Sequence, residues 1–437
     1  NTFSHRTLTD TREENNTTIY DYIYDDDCQY GAMGTTNQVI NPLLVNTAEE
    51  FVRFIINNSK TVPYNGDELY LFGDNEGVYY IRLINDLNFS EITLNNLIVD
   101  NKRISDIIFG GVLDGNGMSI TGIKLTDLKQ DSVHENFGLF SQVGLSDAQK
   151  EATGIGSEAS QEKRINPSIQ NVNITINGFA ATQSVKVGAI AGSMYDTSLI
   201  NVSLSAGENV EIVGRNLVGG FAGLIVNKPG IIINNVTTNN ITVTASHRSN
   251  SVSEVSTLSG YGVALNNGNK IAFNSYNKDS RDSVEVLRNY SYAGSIAGVI
   301  DANNRPTEHS QGKTSVSIPE GDVKNHRSTP EENSISKITV QGGGFIAAEQ
   351  AGGMFGYVGK NTHIKNSSYL LGVVTKDNGS SETVTPRVQQ IRGYNYAGGI
   401  VGENYGMLEQ VTVQHIADWQ PDIDKDFVNN KTNKNVV

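Results

Sequence analysis

"RNLVGGFAGLIVNKPGIIINNVTTNNITV", residues 215–243, is the stretch on which the fold turns. Its glycines are too frequent for a helix, where each costs about 1 kcal/mol relative to alanine. Its apolar residues are too many for a loop. The second half, "IIINNVTTNNITV" (231–243), alternates apolar and polar residues, the period of a strand with one buried face. The plan recurs along the chain. "NFGLFSQVG" (136–144), "VKVGAIAGSM" (185–194), "LVGGFAGLIV" (217–226), "SYAGSIAGVI" (291–300), "QAGGMFGYVG" (350–359) and "NYAGGIVGEN" (395–404) share one order: a small or apolar residue, Gly, a small residue, an apolar residue, a small or apolar residue, then Gly. "SGYGVALNNG" (259–268) reads as a decayed copy. Gly223 follows Gly192 by 31 residues and Gly402 follows Gly356 by 46, so insertions are tolerated between copies.

Several copies lead into a turn and an alternating strand: "SLINVSLSA" (198–206), "HIKNSSYLLGVV" (363–374) and "MLEQVTVQH" (407–415). No single copy buries its own apolar face, but stacked copies bury it together. The spacing therefore predicts an all-β parallel β-helix, a solenoid with a short N-terminal capping helix and long loop insertions. Its structural glycines are Gly138, Gly188, Gly192, Gly219, Gly223, Gly294, Gly298, Gly352, Gly356, Gly398 and Gly402. They are expected where backbones approach too closely for a Cβ, or where a corner needs positive φ. Asparagines after the turn ("INV", "NNV", "KNS") suit corners, and they suit ladders between neighbouring coils. The competing reading is a sandwich or propeller, but a spacing of 31 leaves little room for a four-stranded blade.

The start differs. "NTAEEFVRFIINNS" (46–59) reads as one helix. Thr47 caps it, Glu50 completes a capping box, and Phe51/Ile55 with Val52/Ile56 form one apolar side, fit for a lid over an open solenoid end. "IIFGGVLDGNGMSITGIKL" (107–125) reads as two strands around Asp114-Gly115-Asn116-Gly117. Asp114 is read as a turn residue rather than a catalytic carboxylate or calcium ligand.

The succession of "AEEF" (48–51), "LINDLNF" (83–89), "FGGVLDGNGMSITGIKL" (109–125), "FGLFSQVG" (137–144) and then Gly-rich copies resembles bacterial extracellular proteins with GLUG repeats. The likeness spans roughly residues 45–415. It implies a right-handed parallel β-helix of the kind found in surface adhesins and in the non-catalytic N-terminal region of streptococcal immunoglobulin A metalloproteases.

Composition narrows the function. The 437 residues carry a formal net charge of −14, which argues against nucleic acid or an anionic membrane as partner. No apolar run reaches the roughly 18 residues of a membrane span. Cys28 is the lone cysteine, so no internal disulfide forms. The chain opens on Asn1 without a charged-then-apolar leader, the expectation for a secreted chain whose signal peptide is already removed, or for an excised piece. About a dozen Asn-x-Ser/Thr sequons occur, read mainly as products of composition.

Three domains are expected: an extended acidic tail (1–45), a β-helix (46–415) with insertions near 145–164, 245–287 and 300–335, and a C-terminal cap or tail (416–437) holding Trp419. The insertions are polar and mixed in charge, either plain solvated loops or a contact surface leaving one face of the solenoid. In the tail, Tyr20, Tyr22, Tyr24, Asp25, Asp26 and Asp27 are candidates for partner contact: a segment along the solenoid, a calcium-binding stretch, or a strand donated to a neighbour. No His-Glu-x-x-His, Gly-x-Ser-x-Gly or Walker motif is present, and no cofactor is implied. The expectation is a non-catalytic adhesin or structural stalk at the cell surface or outside the cell. Its partner is a host or cell-surface protein or glycan, or copies of itself in a filament. The alternative is a polysaccharide lyase or glycosidase, which needs carboxylates converging in a groove.

Overall fold

A computed structural model describes residues 6–14, 17–24, 43–73, 80–128, 135–155, 167–228, 231–246, 270–272, 285–287, 291–302, 334–341, 345–359, 362–371 and 390–415. Cys28, Asp25, Asp26, Asp27, Trp419, the 259–268 copy and the 416–437 cap lie outside these residues. The described chain is all-β with two short α-helices, and its strands assemble into three long sheets of 13, 8 and 9 strands. Pairing is parallel throughout these sheets, except where Ser59–Tyr64 meets Asp67–Phe72.

The register shows how the passes stack. Lys186–Gly188 lies in the second sheet, Ala191–Tyr195 in the third and Ser198–Ala206 in the first. One pass later, Leu217–Gly219, Ala222–Asn227 and Ile232–Asn239 lie directly upon them, with Gly188 opposite Gly219, Ala191 opposite Ala222 and Val202 opposite Val236. The six glycine-bearing segments all follow this parallel plan, and none forms a hairpin. Leu217–Gly219 pairs directly with Tyr292–Gly294, so no second-sheet strand from residues 247–290 intervenes.

Alternation explains the interior. Val172, Val202, Val236 and Ile338 form one inward row, each at most 1% exposed, and Ile174, Leu204, Thr238 and Val340 form the next. Near the start the core is aromatic: Phe72 and Phe109 stack at 5.3 Å, and Phe109 and Phe140 at 4.8 Å.

The lid helix is Ala48–Asn57. Thr47 Oγ1 accepts from the Glu50 amide at 3.1 Å. Glu50 reaches back one residue further than a capping box requires, accepting from the Asn46 amide at 2.8 Å. Phe51, Val52, Ile55 and Ile56 are buried on the side predicted. Leu43–Val45 pairs with Tyr80–Leu83, so the first sheet starts at residue 43. Upstream, Arg6–Glu14 and Thr17–Tyr24 form an antiparallel pair that carries Tyr20, Tyr22 and Tyr24.

The two strands around Asp114-Gly115-Asn116-Gly117 are not a hairpin. Val112–Asp114 and Ser119–Leu125 both run parallel to the single strand Ser168–Phe179. The turn is a kink within one continuous pass, with Asn116 and Gly117 both at positive φ.

Insertions leave from three places rather than one face. Residues 144–167 and 303–333 lie between the third and first sheets, 372–389 between the first and second, and 246–291 between two second-sheet strands, Thr242–Ala245 and Tyr292–Gly294. The corner from second to third sheet has two residues in all six copies, such as 189–190, 220–221 and 295–296. The 145–164 break contains a second helix, Asp147–Thr153, capped by Ser146 and Gln149 and ended by Gly154 in the left-handed region. It buries no apolar face, so hydrophobic periodicity gave no sign of it.

Candidate functional site

The outer face of the first sheet carries the most organised polar chemistry among the described residues. It begins at Asp114, the last residue of Val112–Asp114, whose neighbours in register are Arg82 and Gln170. The Tyr80 hydroxyl donates to Asp114 Oδ2 at 2.9 Å, and Arg82 donates from Nε at 3.1 Å and Nη2 at 3.0 Å. Asp114 Oδ1 accepts from the Asn116 amide at 3.0 Å and from Asn171 Nδ2 at 3.2 Å. Gln170 Nε2 donates in turn to the Tyr80 oxygen at 3.0 Å. Burial, and then the adjacent Asp114 charge, push the Tyr80 hydroxyl up to about 12. With five donors on its two oxygens, this carboxylate is committed to structure.

From Asp114 an asparagine ladder climbs the sheet. Asn171 Nδ2 donates to Asp114, Asn201 Nδ2 to Asn171 Oδ1 at 3.0 Å, and Asn235 Nδ2 to Asn201 Oδ1 at 2.9 Å. The amide dipoles align, with nitrogens toward the carboxylate, and such chains reinforce one another. Lys337, Asn366 and Gln410 occupy the next register positions. All six residues from Asn171 to Gln410 have φ between 46° and 56°. Each is the left-handed corner at which its pass bends, the conformation asparagine tolerates best among non-glycine residues.

This corner explains several sequons. A left-handed asparagine is followed by an inward residue and then by an outward hydroxyl. The result is Asn201-Val202-Ser203, Asn235-Val236-Thr237 and Asn366-Ser367-Ser368, with Lys337-Ile338-Thr339 and Gln410-Val411-Thr412 on the same plan. The 30- and 34-residue intervals between the first three ladder members were legible in the sequence as a second repeat, hidden inside what looked like compositional chance.

Beside the ladder lies an open groove of about 480 Å³, lined by Arg82, Asp114, Asn116, Asn171, Asn173 and Asn201. Its chemistry is amide and guanidinium, and the carboxylate at its base is already satisfied.

The repeat glycines occupy equivalent places. Gly188, Gly219, Gly294, Gly352 and Gly398 end second-sheet strands in mutual register. Gly192, Gly223, Gly298, Gly356 and Gly402 stand second in third-sheet strands, and Gly138 sits at the first corner. None of the eleven has positive φ, so turn conformation is not their reason. Space is: a Cβ on Gly188 would lie 2.4 Å from Ala222 Cα.

Two carboxylates do converge at the corner after the third sheet. Asp147 and Asp196 both contact Lys228 Nζ at 3.1 Å, and Lys150 Nζ sits 2.5 Å from Asp196 Oδ2. Burial alone would lower the Lys228 ammonium, but the charges of Asp196 and Asp147 raise it. Two cations neutralise two anions there, and the cluster staples the second helix to the stack. Among the described residues no group of three metal-ligating side chains occurs, and no helix is long and apolar enough to cross a membrane.

Comparisons with protein-family models, with curated proteins and with solved structures find no match to this chain.

Proposed function

We propose that the chain is a right-handed parallel β-helix that works outside the cell as a non-catalytic adhesin or structural stalk. The observation that carries this reading is the stack itself: in-register parallel passes around one apolar interior, with a lid at the first end. A rod of this kind resists bending, because each pass is bonded to its neighbours along every sheet. The outward ladders are amides and hydroxyls rather than catalytic pairs, and the converging carboxylates at Asp147 and Asp196 are spent on lysines. Long polar insertions between strands supply contact surface without disturbing the core.

The test is deletion of residues 248–289 and, separately, 304–332, each replaced by a short Gly-Ser linker that spares the flanking strands. Binding to cells and to extracellular matrix is then measured beside circular dichroism. Loss of binding with an unchanged strand signal is expected from at least one deletion. Unchanged binding from both removes the insertions from the reading. Turnover of polyuronates or neutral polysaccharides by the intact chain would replace it with a carbohydrate-active enzyme.

A further inference from the structure

A second group of polar and aromatic side chains lies on the outer faces of the second and third sheets, near the last passes. Tyr292, Gln350 and Tyr396 are successive register partners in the second sheet. Tyr357 and Glu403 are register partners in the third. The rows meet: the rings of Tyr292 and Tyr357 pack edge to face at 5.6 Å, and Tyr357 and Tyr405 lie 5.5 Å apart. Glu403 sits among the rings. Its Oε1 accepts from the Tyr405 hydroxyl at 2.6 Å and its Oε2 from the Tyr292 hydroxyl at 3.3 Å.

Two features of this group go unused by the fold. Tyr396 and Tyr405 are 55% and 50% exposed, which leaves two aromatic faces open to solvent beside a carboxylate. Gln350 lies between Tyr292 and Tyr396, wholly buried, and neither its amide nitrogen nor its amide oxygen has a hydrogen-bond partner. A buried amide left unpaired costs about 1–3 kcal/mol, a penalty that a ligand pairing both atoms would relieve.

We propose that Tyr396, Tyr405, Glu403 and Gln350 form a saccharide-binding platform. A sugar ring offers a C–H face to an exposed phenol ring, and its hydroxyls both donate and accept. That pairing matches Gln350, which needs an acceptor for its nitrogen and a donor for its oxygen. An ammonium or guanidinium only donates, and would leave the Gln350 nitrogen orphaned. Glu403 retains a lone pair on each oxygen after serving the two tyrosines, and takes a further hydroxyl. The Tyr396 side chain, half exposed at the neighbouring register position, is the group whose rotation admits the ligand to Gln350. The inference rests on the adhesin reading only for its biological setting. A chain that adheres through its insertions and ignores sugars here would refute the platform and leave that reading standing.

The experiment uses the full chain with maltohexaose, cellohexaose, chitohexaose and xylohexaose, read by saturation-transfer NMR and titration calorimetry. At least one sugar is expected to bind in the micromolar to millimolar range. Tyr396→Ala and Tyr405→Ala should each weaken it by about tenfold or more. Tyr405→Phe, which keeps the ring, should stay within about threefold of the native chain. Gln350→Leu decides the matter independently of folding: it should raise the unfolding midpoint, by removing an unpaired buried amide, while weakening the sugar. Absence of binding by all four sugars overturns the proposal. So does native affinity in both tyrosine-to-alanine variants, a fall in midpoint in Gln350→Leu, or displacement of the sugar by tetramethylammonium.

Discussion

Gly219→Ala tests the packing on which the stack depends. An ideal Cβ at residue 219 would stand 2.0 Å from the Ala222 carbonyl oxygen and 2.5 Å from Ala297 Cα, when real Cβ contacts essentially never fall below 3.0 Å. Both neighbours are backbone, so no side chain can swing aside. The corner must open, and it is bonded on both sides: the Ala189 amide donates to Gly220 O at 2.8 Å, Ile190 to Phe221 O at 3.1 Å, and Phe221 to Ile296 O at 2.9 Å. Three weakened bonds at about 1 kcal/mol each, with about 1–3 kcal/mol of overpacking strain, give a loss of about 4–6 kcal/mol. Gly207→Ala is the control, since its Cβ would meet nothing closer than 3.5 Å; it should stay within about 1 kcal/mol. Urea unfolding followed by circular dichroism measures both. Passes interact with their neighbours, so the variant should also broaden the transition as the stack parts at one plane. A Gly219→Ala chain that unfolds with the stability and slope of the Gly207→Ala chain would refute the close-approach account of the repeat.

Four further outcomes follow from the polar face and the staple. Asp114→Ala should cost about 3 kcal/mol, because it strands the buried Tyr80 hydroxyl and the Arg82 guanidinium; Asp114→Asn should cost less, and equal costs in thermal unfolding would show that the charge is irrelevant. Tyr80 is raised from 10 to about 12, so it favours the fold fully below pH 10, and that contribution fades as pH climbs toward 12; a Tyr80→Phe chain should show a shallower loss of stability across this window, by up to about 2 kcal/mol after allowing for solvent, and identical alkaline profiles would contradict the assignment. Lys228→Met leaves Asp147 and Asp196, with side chains 5% and 6% exposed, with Lys150 as their shared cation; amide exchange across 147–153 should speed by at least about tenfold, and native-like protection would mean that the helix is held by something else. Secretion of the chain from a glycosylating host should leave Asn201 and Asn235 bare by peptide mass spectrometry, since each Nδ2 is committed to the ladder; occupancy at either would show the ladder to be dispensable.

The repeat was legible because its causes are local and repeated. A glycine pair four residues apart in five of the six copies, a two-residue corner and a strand of period two mark the passes, and Thr47 with Phe51 and Ile55 marks the lid. What local reading left open was the reason for each residue. The repeat glycines were candidates for close backbone approach or for positive φ; positive φ belongs to Asn171, Asn201 and Asn235 and their successors, while the glycines answer to backbones of neighbouring passes. Asp114 reads as a turn residue until Arg82 and Tyr80 arrive from the preceding pass to fill it. The helix at 147–153 offers no apolar stripe; its anchors, Asp196 and Lys228, come from later corners.

Sequence by itself determined that this chain is built of stacked strands, because alternation and glycine spacing are properties of one pass and appear in every copy. Tertiary structure alone decided which residues meet between passes: the amide ladder on the first sheet, the lysine-neutralised carboxylates at a corner, and the tyrosines around Glu403. The physical reason is distance along the chain. A pass interacts with itself over a few residues, but it meets its neighbours only after a full turn plus whatever has been inserted, and no local pattern records that register.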